Sequence, residues 1–167
     1  MISSRPLILA HGGAGSRPVT PAQVTCLADA LKAGYGILSR GGPALTAVEC
    51  TIGLLEQSGL FNAGRGARRQ LDGVQRMDAA IMEGTHLEAG AVASLEGILH
   101  PITVARLVME ATDHVLLVGP FAGKFARHFK LDQHRSTGVS RRLSYDRILA
   151  KQKRLTRGQH GTVGAVA

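Results

Sequence analysis

The sequence predicts a layered α+β protein, and three observations carry that prediction. Short apolar runs halted by glycine turns, at residues 7–10 and 114–119, read as buried strands. Two more runs, at about residues 77–82 and 89–95, flank Glu83-Gly84-Thr85-His86 and read as adjacent antiparallel strands. Between the strands lie longer segments with apolar residues at helical spacing along one face. Strands with one face inward and helices on the other side make a layered fold.

Each element has its own local cause. Leu7-Ile8-Leu9-Ala10 is a continuous apolar run that His11-Gly12-Gly13-Ala14-Gly15 brings to a turn. Thr20 with Gln23 forms a capping box and Pro21 takes the first helical position, so a helix starts there. Its Leu27, Leu31 and Leu38 recur on one face as far as Gly41-Gly42. Pro43 opens a second helix whose face is Val48, Ile52 and Leu55, ending near Ser58-Gly59 before the loop Leu60-Phe61-Asn62-Ala63-Gly64-Arg65-Gly66. Asp72-Gly73 is a hairpin-turn pair. Pro101 begins a third helix with Val104, Leu107, Val108 and Ala111 inward, and His114-Val115-Leu116-Leu117-Val118-Gly119 forms the next strand. Two basic helices follow, at about residues 120–130 and 140–153. Thr162-Val163-Gly164-Ala165-Val166-Ala167 reads as the first residues of a strand, and a strand needs something to continue into and pair with. The chain is therefore expected to be the N-terminal portion of something longer.

The 167 residues suffice for one domain, or a large part of one, with a sizeable core. With 44% hydrophobic and 19% charged residues and 21 glycines, the composition excludes collagen, coiled coil and low-complexity linker. The formal charge of +8 is unevenly placed: residues 1–123 hold nine bases against ten acids, residues 124–167 eleven bases against Asp132 and Asp146. Only that last quarter has the charge to meet nucleic acid or an acidic surface, and like-charge runs are usually solvated helices and linkers. Cys26 and Cys50 fall in apolar helical patterns without a CxxC spacing and read as buried free thiols in a reducing compartment. No basic leader and no apolar stretch of about 18 residues occurs, so a soluble cytoplasmic protein is expected.

The glycine loop at residues 11–15 invites a phosphate, but Pro18 stands where the third glycine of GxGxxG belongs and no GKS or GKT exists. A tight turn, or close approach of a substrate or another backbone, remains. Asn62 is a polar residue in a loop between apolar elements, suited to turning the chain or to hydrogen bonding an amide. The seven histidines make no HxxxH and the acids are dispersed, so spacing supports neither a transition-metal site nor paired-carboxylate catalysis. The Gly161-Thr162 bond enters a strand after a basic linker. Glycine tolerates strain beside a scissile carbonyl and threonine brings a hydroxyl, so a precursor could cut itself there. Thr162 would then own both a nucleophilic hydroxyl and an α-amino group, whose ordinary pKa near 8 suits a general base.

Taken in order, six motifs resemble the plant-type L-asparaginase and isoaspartyl peptidase family of N-terminal nucleophile (Ntn) hydrolases. They are His11-Gly12-Gly13-Ala14-Gly15, Leu60 to Gly66, Met77-Asp78-Ala79-Ala80-Ile81-Met82-Glu83-Gly84, Ala89-Gly90-Ala91-Val92-Ala93, Ala105-Arg106-Leu107-Val108-Met109-Glu110 and His160-Gly161-Thr162-Val163-Gly164-Ala165-Val166-Ala167. The resemblance implies a self-cleaving precursor: an α subunit at residues 1–161, with a basic linker at about 154–161, and the first, truncated strand of a β subunit at 162–167. It implies part of a four-layer α-β-β-α sandwich, incomplete without the β subunit, in a dimer of αβ units. It implies hydrolysis of L-asparagine and β-aspartyl (isoaspartyl) dipeptides to L-aspartate, with Thr162 as nucleophile and base. Gly12 and Gly13 flank the nucleophile and Asn62 bonds near it. A structural sodium ion is implied on the main-chain carbonyls of Leu55, Glu56, Ser58, Phe61, Ala63 and Arg65.

The second threonine, the oxyanion pair and the substrate-holding Arg and Asp of that family belong to the β portion, so this chain alone is expected to be inert. The linker from near Lys153 to Gly161 is shorter than in many members of the family. Two rival readings come from other classes. A truncated structural or interaction fragment predicts an exposed apolar sheet. A nucleic-acid-binding module at residues 124–157 predicts salt-dependent binding, but has only Phe125, Phe129 and Tyr145 for stacking.

Overall fold

The computed structural model describes residues 5–15, 18–134 and 161–167. The basic helix expected at 140–153 and nearly all of the basic linker lie outside them. Strand β1 (Leu9–His11) leads into helix α1 (Pro21–Ser39), which begins at the expected capping box: Thr20 Oγ1 accepts from the Gln23 N–H at 3.3 Å and Gln23 Oε1 accepts from the Thr20 N–H at 3.0 Å. Helix α2 (Ala44–Ser58) starts after Pro43 and stops at Gly59, whose φ of 73° ends it in a left-handed residue.

The two helices pack through small residues. Ala30 and Gly34 of α1 are buried against α2, where Thr51 Oγ1 donates to the Ala47 carbonyl at 2.8 Å. A Cβ at Gly34 would meet Ile8 Cδ1 at 2.7 Å and the Ala47 carbonyl oxygen at 3.0 Å. The expected leucine face is therefore displaced: Leu27, Leu31 and Leu38 are only half-buried, because the closest approach needs side chains smaller than leucine.

Strands β2 (Met77–Met82) and β3 (Ala89–Leu95) pair antiparallel, as expected. Helix α3 (Pro101–Ala111) lies on them so closely that a Cβ at Gly90 would meet the Met109 nitrogen at 2.5 Å. Its buried residues are Pro101, Ile102, Val104, Ala105 and Val108, whereas Leu107 is half-buried and Ala111 exposed, contrary to the expected face. Strand β4 (Leu116–Val118) then pairs parallel to β3, giving the order β2-β3-β4, and helix α4 (Gly119–His128) follows.

The last strand, β5 (Gly164–Val166), pairs antiparallel with β1 to make a second sheet. The core joins Leu55, Val92, Leu95, Ile98, Val104 and Val108, with Val163 and Ala165 packed against it. Two strands expected to be buried are buried on one face only. Leu117 and Ile8 point inward, while Leu116 and Val118 are each 51% exposed and Leu7 and Leu9 also face out, because nothing covers the outer face of either short strand among the described residues. Cys26 and Cys50 are free thiols and half-buried, not buried.

Candidate active site

The β1–β5 register sets His11 opposite Gly164, and this brings the turn after β1 against the residues just before β5. Gly13, at φ 95°, lies on the junction itself: a Cβ there would sit 2.7 Å from the Thr162 nitrogen, 2.6 Å from its carbonyl oxygen and 2.9 Å from Gly161 Cα. Only glycine combines that φ with that approach. A Cβ at Gly12 would lie 2.9 Å from Cδ1 of the Phe61 ring. The glycine turn therefore lets a second backbone come close, one of the two uses its composition allowed. His11 Nδ1 accepts from the Gly13 N–H at 3.2 Å.

From the other side comes the loop after α2. Asn62 Nδ2 donates to the carbonyl oxygen of Gly161, and Asn62 Oδ1 accepts from the Arg68 N–H at 2.8 Å. Both ends of the carboxamide are thus committed, which fixes its orientation. The loop is itself held: Gln75 Nε2 donates to the carbonyls of Gly64 at 3.1 Å and Ala67 at 2.8 Å, and Gln23 Nε2 donates to the Leu60 carbonyl at 3.0 Å. Sequence reasoning missed Gln75, since a lone glutamine beside a hairpin-turn pair carries no signal that it ties a loop ten residues away.

Asn62 and Thr162 line one cavity of about 540 Å³, together with Ile52, Glu56, Ala79, Val92 and Ile102 and with Arg76 and Asp78 at a polar part of the wall. A concavity of this size suits a small molecule. Glu56 is only 3% exposed. Burial pushes its carboxyl above the ordinary range, while its bonds to His100 and the Ile102 N–H oppose the shift. Its Oε1 accepts from the Ile102 N–H at 3.1 Å, in the first turn of α3, and its Oε2 is 3.3 Å from His100 Nδ1. The side chain of Glu56, unforeseen in the sequence, therefore caps one helix from the end of another. Arg76 is held by Asp72 at 2.6 Å and Glu96 at 2.7 Å, which keeps the Asp72 carboxyl below the usual range.

Of the residues expected to offer carbonyls to sodium, Leu55, Glu56 and Ser58 lie in the last turn of α2, and Phe61, Ala63 and Arg65 lie on either side of Asn62 in the segment that follows. A Cβ at Gly66 would meet the Gly59 carbonyl oxygen at 2.7 Å and crowd that of Phe61, and one at Gly64 would crowd the backbone of Glu56. Some of these carbonyls already accept protein bonds, Leu55 from Ser58 Oγ at 2.8 Å and Ala63 from the Gly66 N–H at 3.0 Å. Among the described residues, no three His, Cys, Asp or Glu side chains gather as a metal site. No helix among them is long and apolar enough to cross a membrane.

Comparison with known proteins bears on this arrangement. A family model described as asparaginase matches residues 4–167. The chain is 46% identical over 147 residues to the plant-type L-asparaginase of Pyrococcus abyssi, covering 86% of this chain and 48% of that protein. It is 36% identical over 170 residues to the isoaspartyl peptidase/L-asparaginase of Danio rerio, covering 97% of this chain and 55% of that one. A similar protein of Rattus norvegicus, of the same description, is 36% identical over 173 residues. The chain spans about half the length of these curated relatives.

Proposed function

The chain belongs to the asparaginase family, and on that premise we propose that it is the N-terminal part of a self-cleaving threonine amidohydrolase that releases L-aspartate from β-aspartyl dipeptides and L-asparagine. The observation that supports this best is the hydrogen bond from Asn62 Nδ2 to the Gly161 carbonyl, at a junction where Gly13 leaves room for the backbone of Thr162. A donor fixed on a carbonyl oxygen stabilises the negative charge that grows there when the carbon is attacked.

In the first reaction the Thr162 hydroxyl oxygen bonds to the Gly161 carbonyl carbon and the C–N bond breaks, with the hydroxyl proton passing to the departing amine. Water then hydrolyses the resulting ester, leaving the Gly161 carboxylate, the Thr162 hydroxyl and a free α-amino group. In the second reaction that amino group takes the hydroxyl proton, the oxygen attacks the side-chain carbonyl of the substrate, and ammonia, or the second amino acid of the dipeptide, departs with that proton. Water hydrolyses the acyl-enzyme to aspartate. Small-molecule substrates of this kind fit the cavity that Asn62 and Thr162 share.

The remaining residues would come from a β subunit cut from the same precursor, and the outward apolar faces of β1 and β4 support its seating there, as part of a four-layer sandwich. A dimer of such αβ units is the proposed assembly. Changing Thr162 to alanine in the protein expressed from its complete coding sequence is expected to leave one uncut chain and no aspartate release; retained cleavage, read by intact mass, would overturn the proposal. A sodium ion on the main-chain carbonyls of Leu55, Glu56, Ser58, Phe61, Ala63 and Arg65 would hold the Asn62 loop without joining the chemistry. Replacing sodium by choline at equal ionic strength should then lower the melting temperature; an unchanged melting curve removes the ion.

A further inference from the structure

We propose that His11 is a positioning residue for the Gly161–Thr162 junction: by accepting the Gly13 N–H, its Nδ1 holds the glycine turn against the Thr162 nitrogen. The inference rests on the self-cleaving reading above and adds to it a residue that touches neither scissile atom.

Gly13 has no side chain to anchor it and sits at φ 95°, so its backbone is free to leave that conformation unless something outside holds it. The 3.2 Å bond to His11 Nδ1 supplies the hold. The imidazole is fixed in turn, because His11 is a strand residue in register with Gly164 and its ring lies on that glycine, where a Cβ would meet Cδ2 at 2.9 Å and Cε1 at 3.2 Å. One ring thus spans from the strand after the junction to the turn that packs on it. Acceptance at Nδ1 requires the tautomer with its proton on Nε2. The same contact would afterwards shape the space available to the freed α-amino group, since the Gly13 backbone is what stands beside the Thr162 nitrogen.

The test uses the protein expressed from its complete coding sequence, with His11→Leu, His11→Asn, His11→Gln and Thr162→Ala compared at matched folding, read by melting temperature. Asparagine puts its carboxamide oxygen where Nδ1 stands, two bonds from Cβ, whereas glutamine reaches the Nε2 position. His11→Leu is expected to slow cleavage on the order of tenfold, the value of one hydrogen bond, and to speed amide exchange at Gly13 by a similar factor. His11→Asn should restore both and His11→Gln neither. Wild-type cleavage in His11→Leu, equal behaviour of Asn and Gln, or unchanged exchange at Gly13 would each overturn the role of His11. An uncut wild-type protein or a cut Thr162→Ala would instead overturn the self-cleaving reading, and the Gly13 exchange rates then decide on His11 alone.

Discussion

Asn62 spends its donor on Gly161 and its acceptor on Arg68, so its carboxamide is oriented before any reaction begins. Replacing it by alanine removes the donor from the junction and should slow cleavage by about 100-fold or more, the usual loss for one oxyanion donor. Asn62→Asp keeps the shape and the Arg68 bond but sets an acceptor against the Gly161 oxygen. It should be no faster than the alanine variant, and gel analysis of cut and uncut chains over time distinguishes the two from wild type. Asn62 and the glycines at 12 and 13 were legible in the sequence as a polar loop residue and a turn open to close approach. Their meeting was implied by the family resemblance and by nothing local, because Asn62 and Gly161 are 99 positions apart and no short-range signal encodes such a distance.

Between elements, the telling contacts are made by side chains of one helix on the end of another. Glu56 at the close of α2 caps α3, and Glu49, about two turns earlier, accepts from Thr103 Oγ1 at 2.8 Å and Arg106 Nη1 at 2.7 Å. Glu56→Ala leaves the buried Ile102 N–H without its acceptor and should cost about 2 kcal/mol. Glu56→Gln keeps an acceptor and discards a buried charge, so it should stay within about 1 kcal/mol of wild type. Urea denaturation curves compare the two, and equal losses would mean that the charge, not the cap, matters. The helix starts were readable because Thr20, Pro21, Pro43 and Pro101 act locally. The inward faces were misjudged where Ala30, Gly34 and Ala105 make the closest contacts, since residues this small contribute little to a hydrophobic pattern yet decide how near two elements can come.

At the scale of the molecule, the β2–β3 hairpin was readable because a turn flanked by two apolar runs is a local signal, whereas β4 beside β3 and β5 beside β1 depend on pairings that only the whole fold selects. The rival reading as a nucleic-acid module has its basic residues mostly outside the described ones, and the rival as an interaction fragment shares with the proposed enzyme its uncovered apolar strands. Strand β5 rests on β1 through three register pairs, Leu9 with Val166, Ala10 with Ala165 and His11 with Gly164. Before a cut at Gly161 those strands find each other within one chain, at the modest entropy of closing a loop. After it they belong to two molecules, and their reunion becomes a second-order event whose yield falls on dilution. If the proposed cut occurs, the uncut Thr162→Ala chain should refold from urea in a first-order step that dilution does not slow, while the cut protein should lose yield on dilution, so that cleavage would exchange a reversible fold for one kept by its history.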